Sequence, residues 1–78
     1  MKNNATIQGR LKDLLDVMDA RTIVDVYIQN NGVQVGSFRG LRVYEILTDK
    51  EIYRTYRSYK VVGLNLGLVT CILIEEEA

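Results

Sequence analysis

The side chains that most often carry out chemistry are scarce in this chain. It contains no histidine and a single cysteine, Cys71. The usual general base at neutral pH is therefore absent, and a lone thiol cannot assemble a structural zinc site. Cys71 stands between Thr70 and Ile72 in an apolar run, with no histidine to activate it, and reads as a small core residue rather than a nucleophile. Asp13, Asp16 and Asp19 form a carboxylate series, but a spacing of three along a helix gives a solvated face, and magnesium sites usually draw on substrate phosphates as well. The glycines make neither a phosphate-binding loop nor a dinucleotide fingerprint. The sequence points away from an enzyme, and no cofactor or metal is expected.

The stretch best suited to binding is Tyr53-Arg54-Thr55-Tyr56-Arg57-Ser58-Tyr59-Lys60. An aromatic followed by a base recurs there at a spacing of three. Arg54, Arg57 and Lys60 have the charge to neutralise phosphates while Tyr53, Tyr56 and Tyr59 stack on bases. The same residue types are enriched at protein interfaces. A third reading is structural: the rings straddle the edge of the core with wet hydroxyls, and the bases are solvated.

The elements that must position these residues belong to one small domain. At 78 residues the chain buries only about 60% of the surface its unfolded form exposes, and domains of this size often rely on a disulfide, a metal or a partner subunit. With one cysteine and no histidine, a partner subunit is the route left open. Ten basic residues balance ten acidic ones, so net charge predicts no polyanionic partner. The bases are enriched between Arg39 and Lys60, and Glu75-Glu76-Glu77 forms an acidic tail over 75–78. The opening Met1-Lys2-Asn3-Asn4 lacks the apolar stretch of a signal peptide. The run from Leu66 to Ile74 is far below the roughly 20 residues that span a bilayer. A soluble, cytoplasmic protein without a membrane partner is expected.

Ile7, Leu11, Leu14, Leu15 and Met18 form the apolar stripe of a helix at about residues 6–19, which Asn4 or Thr6 is placed to cap. From Thr22 the period changes to two, with Val24, Val26 and Ile28 on one side and Ile23, Asp25, Tyr27 and Gln29 on the other. Asn31-Gly32 marks a two-residue hairpin turn. It predicts a hairpin over about 22–39 in which Ile28 faces Val35, Val26 faces Ser37 and Asp25 faces Phe38. Two short helical pieces follow over about 41–54, the second opened by a capping box on Thr48 and Glu51. A second hairpin occupies about 57–75, turning near Leu66-Gly67. The fold class is α+β, in the order α-β-β-α-β-β, with a four-stranded antiparallel sheet and the helices packed on one face.

One face of that sheet takes the helix stripe on Val24, Val26, Ile28 and Val35. The opposite face is not plainly polar, as a solvated face is. Ile23, Tyr27, Phe38, Tyr59, Val61 and Leu73 are the interface residues expected on it. Either the short helical pieces fold back over this face or a partner covers it.

The segment Leu11-Lys12-Asp13-Leu14-Leu15-Asp16-Val17-Met18-Asp19, followed by Thr22, Val24, Val26 and Tyr27, resembles small uncharacterised proteins of phages and integrated mobile elements in Gram-positive bacteria. Lys60-Val61-Val62-Gly63 echoes their closing hairpin, whereas the Arg/Tyr segment departs from their acidic equivalent. The resemblance implies a setting among accessory genes, some of which encode inhibitors of host defence proteins. The function expected is a non-enzymatic protein-binding module, a homodimer or a binder of a host or phage protein. The alternative is a weak nucleic-acid binder acting through residues 53–60. A small-molecule binder has no specific support.

Overall fold

The computed structural model describes residues 9–76. The alternation from Ile23 to Ile28 forms β1 (Ile23–Asn30), which Asn31-Gly32 turns into β2 (Val33–Arg42). Both turn residues have positive φ, 54° at Asn31 and 79° at Gly32, the geometry whose twist matches the strands it joins. Asn30 faces Val33 and Gln29 faces Gln34, as the turn predicts.

Beyond Gln34 the register departs from expectation. Val35 is an extra residue on β2, so Ile28 faces Gly36, Tyr27 faces Ser37 and Val26 faces Phe38. A second bulge sets Arg39 and Gly40 against Asp25. There Gly40, at φ 71°, donates its N–H to Asp25 Oδ1 at 2.8 Å. A one-residue slip carries every following side chain to the other face. Phe38 therefore shares the face of Val26, correcting its expected place on the opposite one. Val35, expected in the core, is 63% exposed.

Arg42 opens α2 (Val43–Thr48) with its N–H donated to Glu45 Oε1 at 2.8 Å. The first helical amides, of Val43 and Tyr44, donate to the carbonyls of Thr22 and Ala20 at 2.9 and 3.0 Å. The cap of α3 (Lys50–Tyr56) is Asp49 rather than the expected Thr48. Asp49 Oδ1 accepts from the amides of Glu51 and Ile52 at 3.1 and 3.0 Å. The Thr48 hydroxyl donates backward instead, to the Tyr44 carbonyl at 2.7 Å, and closes α2.

The first helix, α1 (Leu11–Val17), is shorter than its apolar stripe suggests. Ile7 and the expected caps Asn4 and Thr6 lie outside the described residues. Its leading amides, of Leu11 and Lys12, donate to the carbonyls of Tyr59 and Arg57 at 2.9 and 3.0 Å. These bonds satisfy groups that a helix start leaves unpaired, and they fix α1 to the connection after α3.

Two further strands, β3 (Lys60–Leu66) and β4 (Thr70–Glu75), complete a four-stranded sheet in the order β2-β1-β4-β3. The sheet is mixed, which corrects the antiparallel expectation: β1 pairs β2 and β3 pairs β4 antiparallel, but β1 and β4 run parallel. The cause is the return of the chain. Helices α2 and α3 carry it back to the end of the sheet where β2 began. β3 therefore runs in the sense of β2, and β4 in the sense of β1.

All three helices lie on one face. Leu11 and Leu15 of α1 and Val43 and Ile46 of α2 pack with Val24, Val26, Ile28, Val61, Ile72 and Ile74 of the sheet. Ile52 and Tyr56 of α3 close the margin. Burial of such aliphatic side chains, each about 1.5–3 kcal/mol, is the principal force holding helices to sheet. Val61, expected on the opposite face, is only 3% exposed within this core. A bulge between Val61 and Gly63 puts Gly63, two positions on, on the opposite face beside Leu73.

Candidate functional site

The helices leave the second face of the sheet without cover among the described residues, and three cross-strand rows run over it. Ser37, Tyr27, Leu73 and Gly63 form the central row, in register across all four strands. On one side lies the row Gln34, Gln29, Glu75 and Lys60. On the other, Asp25 adjoins Cys71, which adjoins Asn65. The middle of the face is thus apolar and its borders are polar. Ile23, 41% exposed, lies beyond the Asp25 row at the start of β1, apart from the central row.

The polar rows are held by specific bonds. Gln29 Nε2 donates to Glu75 Oε1 at 2.7 Å, joining β1 to β4. Asp25 Oδ1 holds the bulge of β2 through the Gly40 amide. The central row has a low point at Gly63, whose missing side chain lets Leu73 lie close against it. A shallow concavity of about 350 Å³ opens there, lined in part by Tyr27, Leu73, Cys71 and Asn65. Its volume is at the lower end for ligand sites, and its open form suits a protruding side chain better than an enclosed small molecule.

Of the expected interface residues, Tyr27 and Leu73 are neighbours on this face, and Ile23 shares it beyond Asp25. Phe38, Tyr59 and Val61 do not. Phe38 and Tyr59 pack against the core from the helix side, with Tyr56 between them. The ring centroids of Phe38 and Tyr56 are 5.4 Å apart, and Tyr56 meets Tyr59 edge-on at 5.0 Å and 78°, a favourable aromatic geometry. Burial, then the negative charge of Glu76 and the presence of Tyr56, push the Tyr59 phenol above its ordinary value.

This cluster also decides how the Arg/Tyr segment is disposed. Tyr53, Tyr56 and Tyr59 are each half-buried, while Arg54, Arg57 and Lys60 are exposed. Arg57 lies over the Tyr53 ring with its guanidinium carbon 5.6 Å from the centroid. Two of the three rings are thereby occupied by packing and the third carries a cation on its face. A stacking surface for nucleic-acid bases needs open ring faces, and here they are largely taken.

Cys71, expected in the core, lies instead on the uncovered face, half-buried beside Asp25 and Asn65. Asp13 and Asp19 serve local turns, accepting the amides of Arg10 and Arg21 at 3.1 and 2.8 Å. Among the described residues no group of three metal-ligating side chains comes together, and no helix is long and apolar enough to cross a membrane.

Sequence reasoning missed one apolar feature. Val62, Leu64, Leu66 and Leu68, on β3 and its turn, are all exposed. Their signal was present as alternate residues of one run, but the surrounding apolar residues masked it. No family model, no curated protein and no solved structure matches this chain.

Proposed function

We propose that the protein is a non-enzymatic protein-binding module that docks another protein on the uncovered face of its sheet. The observation that carries this reading is the arrangement of that face. Its apolar centre of Tyr27 and Leu73 adjoins a concavity beside Gly63 and is bordered by hydrogen-bonded polar rows. An apolar core within a polar rim is the anatomy of protein interfaces, and tyrosine is among the residues that dominate their energetics. The setting that the opening residues resemble, accessory genes of phages and mobile elements, makes a host protein the partner class to test. The nucleic-acid alternative has less support because the rings of Tyr56 and Tyr59 are packed against Phe38 and each other.

The test uses three matched baits: the wild type, a Tyr27→Lys/Leu73→Lys variant, and an Arg54→Ala/Arg57→Ala variant. The expected partner is a protein retained by the wild type and the arginine variant but lost by the face variant. Calorimetry with the purified partner is expected to give a negative heat-capacity change, the mark of apolar burial, and little dependence on salt. Retention of nucleic acid that is released by salt and lost with the arginines would overturn the reading.

A further inference from the structure

The two edges of the sheet differ in how they are protected. β2 has two bulges, a positive φ at Gly40, and the charges of Arg39 and Arg42, devices that block strand addition at an edge. Among the described residues β3 is protected only at its start. There the Val61 N–H donates to the Gly9 carbonyl at 3.1 Å, and Arg10 forms an antiparallel bridge with Lys60. From Val62 to Leu66 no backbone bond on the outer side occurs among the described residues, and the only bulge lies at the beginning of the segment. No residue from Val61 to Ile74 carries a charge.

The free segment is self-complementary. Its centre is Leu64, and its exposed apolar residues fall at every second position: Val62, Leu64, Leu66, then Leu68 in the turn. An antiparallel pair with a two-fold axis at Leu64 sets Leu64 opposite Leu64 of the partner subunit, and Val62 opposite the partner's Leu66. In this register Val62, Leu64 and Leu66 meet their own copies, while Leu68, in the turn beyond the strand, falls outside the apolar pairing. Leu64 and Leu66 stand opposite Ile72 and Thr70 of β4, so they share the face of the buried Ile72. Pairing about an axis normal to the sheet sets both helical layers on one side with the stripe between them.

We propose that β3 of one copy pairs antiparallel with β3 of a second copy across a two-fold axis at Leu64, joining two four-stranded sheets into one. The occupant is another copy because the stripe is its own complement and because the segment has no charge to repel itself. Val62, Leu64 and Leu66, exposed to 41%, 36% and 74%, offer on the order of 300 Å² per copy, to which the paired main chain adds. This is below the ~800 Å² per partner of standard interfaces, so the dimer is a weak one that forms as concentration rises. Such an interface is closed by its symmetry and leaves no further β3 edge to recruit. The proposal concerns the β3 edge and shares Leu64 with the lining of the concavity, whereas Leu66 lies outside that lining, so the Leu66 variant lets each reading fail while the other stands.

Sedimentation of the full chain over a range of concentrations reads the proposal. The wild type is expected to approach twice the mass of a single chain as concentration rises, with no loss of dimer on adding salt. Leu66→Lys and Leu64→Lys are each expected to shift it to a single chain with an unchanged circular dichroism spectrum. Leu66, 74% exposed, tolerates that change in the monomer, so the test survives if the Leu64 variant fails to fold. In a Cys71→Ser background, Leu64→Cys is expected to give a covalent dimer on mild oxidation. Opposed residues of an antiparallel hydrogen-bonded pair have Cα atoms about 5.5 Å apart, within the range a disulfide spans. A wild type that stays single at every concentration would overturn the proposal. So would open-ended aggregates, or a dimer that survives both lysine variants and dissolves with Tyr27→Lys or Leu73→Lys.

Discussion

The two faces of the sheet are built from the same kinds of residue and come to opposite ends. On β1, Val24 and Val26 have no exposure while Ile23, one position away, is 41% exposed. On β4, Ile72 and Ile74 are fully buried, and Leu73 between them is half-buried with no helix above it. The difference is not hydrophobicity. Three helices are anchored to one side by backbone bonds at their starts, from Leu11 to Tyr59 and from Val43 to Thr22, and nothing comparable is anchored to the other. The uncovered face is instead tied across its strands by Gln29 and Glu75, polar groups that function best when wet or facing a polar partner. One face is a core; the other is a surface with a core-like centre.

The largest expected effect tests that contrast at adjacent residues. Ile72→Ala removes a fully buried side chain and is expected to cost about 3–4 kcal/mol, the range for large-to-small changes in a core. Small domains have only about 5–15 kcal/mol in total, so the variant should be unfolded or close to it. Leu73→Ala, on the open side, is expected to cost about 1 kcal/mol. Denaturant midpoints compare the two. Equal losses would mean that the second face is covered as closely as the first, and the contrast would collapse.

Gly63→Ala sharpens the same contrast with a smaller effect. A Cβ there comes within 3.3 Å of Leu73 Cβ, closer than packed carbon atoms ordinarily approach. In a sealed core such crowding typically costs 1–3 kcal/mol. Leu73 Cβ moves only with its backbone, but Gly63 is on the edge strand β3, which can shift by the few tenths of an ångström required. The thermal midpoint is expected to record about 1 kcal/mol or less. The variant also fills part of the concavity, so partner affinity should fall more than stability does. A stability loss at the core level would show that β3 is held against β4 as rigidly as the strands of the buried face.

Local signals in the sequence were sufficient for the elements and not for their registers. Asn31-Gly32 marks its turn because both residues accept positive φ, and the alternation of Val24, Val26 and Ile28 marks the buried side of β1 wherever β2 begins. Ile23, Tyr27 and Leu73 were legible for the same reason. Phe38 was misplaced because the Val35 bulge has no local signature and one extra residue reverses the faces. The second bulge depends on a bond between Asp25 and Gly40, fifteen positions apart, which no local pattern records. Val61 was misplaced in the same way by its own bulge. The parallel pairing of β1 with β4 follows from where α2 and α3 return the chain, a property of the whole topology. The tyrosines of the Arg/Tyr segment recur every three residues, a spacing that fits one side of a helical turn as well as it fits a binding strip. α3 and the connection after it resolved that ambiguity toward packing.

The smallest expected effect concerns the margin of the helix-covered face. Tyr59 packs there against the core, and burial first, then Glu76 and Tyr56, raise its phenol above the ordinary 10.0. The folded chain therefore holds this proton more tightly than the unfolded chain does. Below the unfolded value both states keep the proton and the contribution is fully present. As pH rises past about 10 the unfolded state releases its proton first, so stability declines until the folded phenol titrates as well. Thermal midpoints measured from neutral to strongly alkaline pH should fall less steeply in Tyr59→Phe than in the wild type, by a few degrees at most. Tyrosinate absorbance should show one of the five tyrosines titrating late in the wild type and not in the variant. Identical slopes would place the Tyr59 ring as much in water as the residues of the uncovered face. The boundary between the two faces would then lie further inside the aromatic cluster, at Tyr56.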